Sequence, residues 1–167
     1  LPVLNNHRSV GSLFKIWGIV ILGNVIGGIL MALTLSWIGP NLGIFDAEVI
    51  AKIGKHYVDY DSLTILISAI LAGWLMGLLS WLVTSSKETT SEILIIYLIT
   101  AVMGFTGLHH SIIGQIEIFA GMLVSPEIDF LIYLKTLVIA LVGNALGATI
   151  FVALLKYRAF VFNVKIP

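Results

Sequence analysis

The sequence has 167 residues, of which 59% are hydrophobic and 11% are charged, and its mean hydropathy is +1.07. These values exclude an ordinary soluble domain and indicate a polytopic helical membrane protein. The formal net charge is zero, which gives no support to nucleic-acid binding, and the lack of cysteine excludes disulfides and zinc-thiolate sites. The first residues, LPVLNN, have neither an initiator methionine nor the basic start of a signal peptide, so we expect the sequence to begin inside a longer chain.

The first predicted membrane span covers residues 13–37. It contains several glycines, which let helices approach closely, together with Lys15 near its start and Asn24 at mid-depth. We expect Pro40 and the glycine before it to end this helix. The polar loop 41–61 has apolar residues at every fourth position, a pattern typical of a short helix that lies at the membrane surface.

The second predicted span covers residues 62–83, and a hydrophilic turn follows it. Thr89 and Glu92 have the spacing of a capping box, which predicts the start of the next helix. The apolar region 93–124 that comes after them has about 30 residues, whereas one upright span needs ~20. This length predicts a helix that is broken near its middle.

The stretch GFTGLHHSIIGQIE, residues 104–117, supplies the break. One half-helix is expected to end near Thr106, and the next is expected to begin near Ser111. Polar groups at bilayer depth are costly, and broken backbone is tolerated there only inside protein or beside a water-filled cavity. The start of the second half-helix also directs its positive dipole toward that cavity. We therefore predict a functional site here, with His109 and His110 as its candidates.

The last predicted span covers residues 130–155 and contains an internal repeat of the first span. LGNVIGG at residues 22–28 and VGNALGA at residues 142–148 share the pattern Gly-Asn-x-x-Gly followed by a small residue. An odd number of membrane passes separates the two copies, so the second copy is inverted relative to the first, as in transporter-type inverted repeats. We expect the first two passes of the first repeat to lie before Leu1.

The basic residues predict the orientation in the membrane. One side of the predicted spans carries Arg8, Lys15, Lys87, Lys156, Arg158 and Lys165, and the other side carries Lys52, Lys55 and Lys135. The positive-inside rule then places both ends of the chain in the cytoplasm. The predicted location is the cell (inner) membrane, crossed several times.

Four landmarks, in their order and spacing, carry a resemblance to a known family. They are K-x-W followed by G-N within residues 14–24, I-L-x-x-W-L at 70–75, H-S-I at 110–112, and the G-N-x-x-G of the last span. The chain resembles the formate/nitrite transporter family of pentameric membrane channels, in particular its less characterised bacterial branch. The resemblance covers the family's third to sixth spans, residues 1–157, and leaves 158–167 as a cytoplasmic tail. It implies an all-α, aquaporin-like bundle with a broken helix and inverted three-span repeats.

The resemblance also implies a function. It is that of a transmembrane channel or transporter for small monovalent anions such as formate or nitrite, coupled to protons through a central pore histidine and assembled as a homopentamer. His110 matches that histidine, and Met103 stands where an aromatic residue usually narrows the cytoplasmic side of the pore. The pore and substrate candidates are His110, His109, Lys15, Met103 and Thr106, and the candidate structural supports of the pore are Asn24, Asn144 and Glu117.

Departures from the family's pattern keep other functions open. His109 stands where the family commonly has glutamate, and Gly73 and Gly114 stand where it has asparagine. The alternatives are a non-transporting membrane scaffold or sensor with the same fold, or a channel for neutral solutes. No catalytic residue is assigned, because Ser111 lies too close in sequence to His110 to form an obvious nucleophile–base pair. No cofactor and no metal are expected, since two neighbouring histidines without a third ligand bind metals poorly.

A buried Lys15 would require a partner, because burying an unpaired charge is costly. Either Glu117 reaches the lysine, or a neutral His109 accepts a hydrogen bond from its ammonium group. We favour His109, because Glu117 is expected about 10 Å along the second half-helix at ~1.5 Å per residue.

Overall fold

The computed structural model describes residues 9–153, with side chains as far as Ile150, and all of its regular structure within those residues is helical. The helices are α1 (Val10–Asn41), α2 (Ala47–Val58), α3 (Ser62–Ser85), α4 (Thr89–Thr106), α5 (Ser111–Val124) and α6 (Phe130–Leu146), and α6 continues as a π-helix over Gly147–Ala153. Four of these segments are long and apolar enough to span a membrane: Val10–Asn41, Ser62–Ser85, Thr89–Thr106 and Phe130–Ile150. The prediction of a polytopic, all-α membrane protein is confirmed.

The predicted elements agree with the observed helices at most positions. The short helix of the polar loop is α2. Its N-cap is Asp46, whose carboxylate accepts a hydrogen bond of 3.0 Å from the Val49 N–H. The interruption of the apolar region is present, with α4 ending at Thr106 and α5 beginning at Ser111. The end of the last span at residue 155, the tail 158–167 and the basic residues Arg8, Lys156, Arg158 and Lys165 lie outside the described residues.

The predicted end of α1 at Pro40 is wrong, because the helix includes the proline and continues to Asn41. The helix ends instead in a Schellman motif, in which Ile44 N–H donates to Gly39 C=O at 3.0 Å and Gly43 N–H donates to Pro40 C=O at 3.1 Å. This motif requires a left-handed residue, and Gly43 supplies it with φ of 64°. Proline in the last turn removes only one N–H donor, so it does not stop the helix by itself.

The predicted capping box at Thr89 is also wrong. The N-cap of α4 is Glu88, and it makes no side-chain capping hydrogen bond. The hydroxyl of Ser86 accepts a hydrogen bond of 3.4 Å from the Glu88 N–H. Thr89 is already the first residue of the helix, where it cannot act as the N-cap.

The described residues divide into two compact units, and the first consists of residues 9–60 with 112–137. Its apolar core is built from Ala32, Ile50 and Ala120, with Phe45, Ile116, Phe119 and Val124 packed against them. Helices α2 and α5 approach closely because glycines face each other: a Cβ added at Gly54 would lie 2.8 Å from the Cα of Gly121. The salt bridge between Lys55 and Glu127 joins α2 to the turn that precedes α6.

Within the described residues, the second unit consists of 61–111 with 138–153, and α3 packs in it against α4 and the π-helix. The Asp61 carboxylate begins α3 by accepting hydrogen bonds from the N–H groups of Leu63 and Thr64. The Thr64 hydroxyl also donates to this carboxylate, and its hydrogen bond contributes most to lowering the pKa of Asp61 below its usual value of 3.8. The bonds from the two N–H groups lower the pKa further. Gly147 lies against α3 so closely that a Cβ there would be 2.0 Å from the carbonyl oxygen of Ile70.

Candidate functional site at the helix break

The break between α4 and α5 begins at a glycine in the left-handed conformation. Gly107 has φ of 62°, a value that side chains with a Cβ rarely adopt, and its N–H still donates to the carbonyl of Met103. The N–H of Leu108 also donates to Met103, at 3.4 Å, and the N–H of His110 donates to Leu108 at 2.9 Å. The backbone therefore leaves the helix at a defined residue and turns sharply before α5 begins.

Asn144 of α6 holds the end of this turn that leads into α5. Its Oδ1 accepts a hydrogen bond of 2.8 Å from the N–H of Ser111, which is the first residue of α5. Its Nδ2 donates to the carbonyl of His109 at 3.0 Å and to the carbonyl of Ala69 in α3 at 2.8 Å. One amide side chain thus satisfies a donor and an acceptor of the broken backbone, and ties both to α3. Backbone N–H and C=O groups are costly to bury in a membrane without hydrogen-bond partners.

Ser68 of α3 holds the middle of the turn through His109. Its Oγ accepts a hydrogen bond of 3.0 Å from the His109 N–H and lies 2.9 Å from Nδ1 of the same residue. His109 is only 3% exposed. The main-chain N–H and C=O of this residue and one nitrogen of its ring are therefore all held by side chains of two neighbouring helices.

The other candidates in this unit lie around the turn with different exposure. His110 is half-buried, whereas Met103 is buried at 6% exposure. Thr106 is exposed, and its hydroxyl donates to the carbonyl of Val102 within α4 at 2.7 Å. The second unit thus brings His109, His110 and the end of α4 together around one braced turn.

The first unit contains a separate polar cluster around Gln115, which is 1% exposed. Its Nε2 donates to the carbonyl of Asn24 at 3.1 Å, and its Oε1 accepts from the hydroxyl of Tyr133 at 3.0 Å. The amide group of Asn24 itself donates to Val20 within α1 at 2.8 Å. Gln115 fits against α1 because of Gly28, where an added Cβ would lie 1.6 Å from Nε2 of the glutamine. The cluster joins α1, α5 and α6 within one unit.

Glu117 and Lys15 lie in the first unit and do not form the ion pair that was one of the two predicted arrangements. Glu117 is half-buried and lines a cavity of about 220 Å³ whose other walls are apolar, while Lys15 is exposed on α1. Within the described part of the chain, the salt bridge that forms joins Lys55 and Glu127. The same residues contain no group of three or more His, Asp or Glu side chains placed to hold a metal ion.

Sequence reasoning missed three residues that hold these sites together, namely Ser68, Gln115 and Tyr133. Ser68 could have been singled out from the sequence, because it is the only residue with a hydroxyl group in the apolar run 65–79. Gln115 stands in the stretch that predicted the break, yet its partners lie on α1 and α6. Nothing in its local sequence indicates which groups it would meet.

The fold and the braced break define a class of protein: a polytopic helical membrane protein with polar groups fixed at an interrupted helix. Within that class, the chain belongs to the formate/nitrite transporter family, since the sequence model of that family, described as "Formate/nitrite transporter", matches residues 1–158. The prediction of this family is confirmed.

Two curated relatives match almost the whole chain. The inner membrane protein YfdC of Escherichia coli strain K12 is 28% identical over 166 residues, which are 94% of this chain and 50% of the relative. The uncharacterized transporter YrhG of Bacillus subtilis strain 168 is 27% identical over 172 aligned positions, which are 96% of this chain and 60% of the relative. The chain therefore spans half to three-fifths of the length of these relatives. No solved structure matches it.

Proposed function

We propose that the chain is part of a transporter for small monovalent anions of the weak-acid type, such as formate or nitrite, with His110 in the pore. The observation that carries this proposal is the half-buried His110 at a break whose backbone is held by Asn144 and Ser68. A fixed break of this kind is tolerated inside a membrane where it lines a cavity. Membership of the family supports transport of small anions in general.

The electrostatics of the break favour an anion. Helix α5 begins directly after His110, so the positive end of its dipole lies at the histidine. An unperturbed imidazole changes its charge near pH ~6.5, so this side chain could donate a hydrogen bond to the anion or pass it a proton. A protonated weak acid is neutral and crosses an apolar constriction at lower cost than its anion. Met103, buried at the end of α4, is proposed as part of that constriction.

Lys15 is a separate part of the proposal. Its ammonium group is exposed on α1, where it would attract anions before they reach the pore. We also propose that the complete protein is a homopentamer of the cell membrane, with both ends of this chain in the cytoplasm. The proposal assigns no catalytic residue, in keeping with a family of transporters.

The test is flux into liposomes that contain the full-length protein, with formate, nitrite, hydrosulfide, acetate and lactate as substrates under an imposed pH gradient. We expect flux of at least one anion, stimulated by an inward proton gradient. His110→Ala should lower it at least about tenfold, the factor that one hydrogen bond to a charged group typically contributes. His56→Ala is the matched control, because His56 is exposed on α2.

The outcomes separate the transporter from its alternatives. Flux no higher than in protein-free vesicles for all five anions, with oligomers intact on a native gel, would overturn the proposal in favour of a scaffold or sensor. Passage of neutral solutes with equal rates in wild type and His110→Ala would indicate a neutral-solute channel instead.

A further inference from the structure

The first unit contains a cavity of about 220 Å³ that lies between α1, α2 and α5. Its deepest lining residues are Ile50 of α2 and Ala120 of α5, each of which is only 6% exposed. Three further lining residues, Leu35, Val49 and Ile53, are exposed and form its rim. The cavity therefore opens to the surface of this unit between α1 and α2.

Glu117 of α5 is the one lining residue of this cavity that carries a charge. The other lining residues are all apolar, and Glu117 itself is half-buried. Among the residues that the structure describes, its carboxylate forms no hydrogen bond and no salt bridge, and Lys55 of α2 is already paired with Glu127. A carboxylate that is partly removed from water is costly unless a cation or hydrogen-bond donors accompany it. The cavity thus combines apolar space with an unpaired acidic side chain.

The lining is a poor match for water, for metal ions and for anions. A water molecule held inside a protein needs about two to four polar partners, and the lining offers one polar side chain. Calcium takes about six to eight oxygen ligands, and no group of three or more His, Asp or Glu side chains in the described part of the chain is placed to hold a metal ion. An anion would be repelled by the carboxylate. The occupant that fits is therefore a cation with an apolar part.

The volume of the cavity limits the size of that apolar part. An apolar cavity of about 150 Å³ is large enough to bind benzene. At about 220 Å³ this cavity has room for a ring of that size with a short chain, and it is smaller than the ~300–1,000 Å³ pockets that hold drug-sized ligands. Phe45 adds an aromatic ring to the lining, and the face of such a ring attracts cations.

We propose that this cavity is a binding site for a small hydrophobic amine, whose ammonium group pairs with the Glu117 carboxylate and whose ring or short alkyl chain lies against Ile50 and Ala120. Aliphatic amines carry a positive charge at neutral pH, as the lysine side chain does. The amine headgroup of a phospholipid fits less well, because its phosphate would also have to leave water beside apolar walls. The site lies within one unit, and the proposal does not depend on anion transport.

Two probes of similar size distinguish recognition of the charge from apolar binding. The full-length protein in lipid nanodiscs is dialysed against labelled phenethylamine or labelled phenethyl alcohol at pH 7, and empty nanodiscs correct for partition into lipid. We expect saturable binding of the amine, with an affinity at least about tenfold higher than that of the alcohol, the factor that one hydrogen bond to a charged group typically contributes. Glu117→Gln should remove most of this difference. Glu48→Gln, at an exposed carboxylate of α2 outside the cavity lining, should leave it unchanged.

A second pair of variants tests the location of the site. Ile53→Trp places a larger side chain at the rim and should abolish binding of the amine, whereas Lys52→Trp, at an exposed residue outside the lining, should not.

The wild type alone can overturn the proposal, even if every substitution prevents folding. Either no saturable binding of the amine or equal affinity for the two probes would do so, and the first would also be the result if another part of the complete protein filled the cavity. Unchanged amine affinity in a folded Glu117→Gln would remove the carboxylate from the site. Unchanged binding in a folded Ile53→Trp would place the amine elsewhere, and either variant result would overturn the proposal as well.

Discussion

Gly73 of α3 lies directly against the backbone of Asn144 in α6. A Cβ added at Gly73 would be 2.2 Å from the carbonyl oxygen of Asn144 and 2.6 Å from its Cα. Gly143, the neighbouring glycine of α6, packs against α3 in the same way, since a Cβ added there would lie 2.5 Å from the Cβ of Ala69. These contacts bring the two helices close enough for the Asn144 amide to reach the carbonyl of Ala69 and the turn at His109.

This packing gives a physical reason for two departures from the family's pattern. Gly73 and Gly114 both stand where the pattern has asparagine, and at both positions an added Cβ would overlap neighbouring atoms as they stand. At Gly114 an added Cβ would lie 2.3 Å from the ring of Tyr57 on α2. The obstacle at Gly73 is backbone and cannot move aside, whereas the ring at Gly114 could shift. The two glycines are therefore packing positions of this chain and not simply lost polar groups.

The first prediction is that Gly73→Ala destabilises the protein, because the extra methyl group forces α3 and α6 apart. Overpacking of this kind costs about 1–3 kcal/mol. The midpoint of thermal unfolding in detergent should fall, and the turn at His109 should become more accessible to hydrogen exchange. Gly18→Ala on α1 is the control, since a Cβ there meets nothing within 4 Å. Equal midpoints for the two variants would contradict the close contact at Gly73.

The helices could be predicted from sequence because their signals are local, whereas the braces of the break could not. Apolar length and turn residues predicted α3 and the interruption near Thr106 correctly. The errors at Pro40 and Thr89 both concern the ends of helices. The left-handed Gly43, and not the proline, ends α1, and α4 has Glu88 rather than Thr89 as its N-cap. The partners of Ser68 depend on a contact 41 residues along the chain, and no local pattern contains that information.

The second prediction concerns Asn144. Asn144→Ala leaves the Ser111 N–H and the His109 carbonyl without their partner, and each unsatisfied buried group costs about 1–3 kcal/mol. We expect a large loss of thermal stability and faster hydrogen exchange at the start of α5. Asn144→Asp should rescue part of the effect, because a carboxylate can still accept from Ser111 but cannot donate to His109. The control is Asn41→Ala, because the exposed amide of Asn41 bonds to the carbonyl of Trp37 within its own helix. If Asn144→Ala were as stable as Asn41→Ala, the bracing role would be refuted.

The third prediction is an energetic coupling between Gln115 and Tyr133. The tyrosine hydroxyl donates to Oε1 of the glutamine at 3.0 Å, and both side chains are buried. Tyr133→Phe removes this bond alone, while Gln115→Leu also removes the bond to the Asn24 carbonyl. A double-mutant cycle on the free energy of unfolding should give a coupling of about 0.5–1.5 kcal/mol. Gln115→Leu should be the more destabilising single change. Strict additivity of the two would mean that the hydrogen bond contributes nothing to stability.

The fourth prediction is a dependence on pH and salt of the contact between α2 and the turn before α6. The hydrogen bond from Lys55 to the Glu127 carboxylate, followed by the charge of that carboxylate, raises the pKa of Lys55 above 10.5. A raised pKa of a base means that the folded protein holds the proton more tightly than the unfolded chain. The contribution to stability is therefore complete below pH 10.5, and it is lost as the pH rises through the folded-state pKa.

Lys55→Met, which keeps the apolar stem, should lower the thermal midpoint slightly at pH 7 and not at all once the wild-type lysine has lost its proton. The two side chains are 47% and 59% exposed, so the effect should also shrink at ~1 M salt, where the screening length is about 3 Å. Lys52→Met on the same helix is the control, because Lys52 forms no salt bridge with any described residue. Thermal melts of the three proteins at pH 7 and above pH 10.5, each in low and high salt, measure both dependences. Two results would contradict this prediction: the same change in thermal midpoint for Lys55→Met and Lys52→Met, or a Lys55→Met change that persists in high salt. Either would show that the ion pair does not stabilise the position of α2, which then depends on the close contact of Gly54 with Gly121.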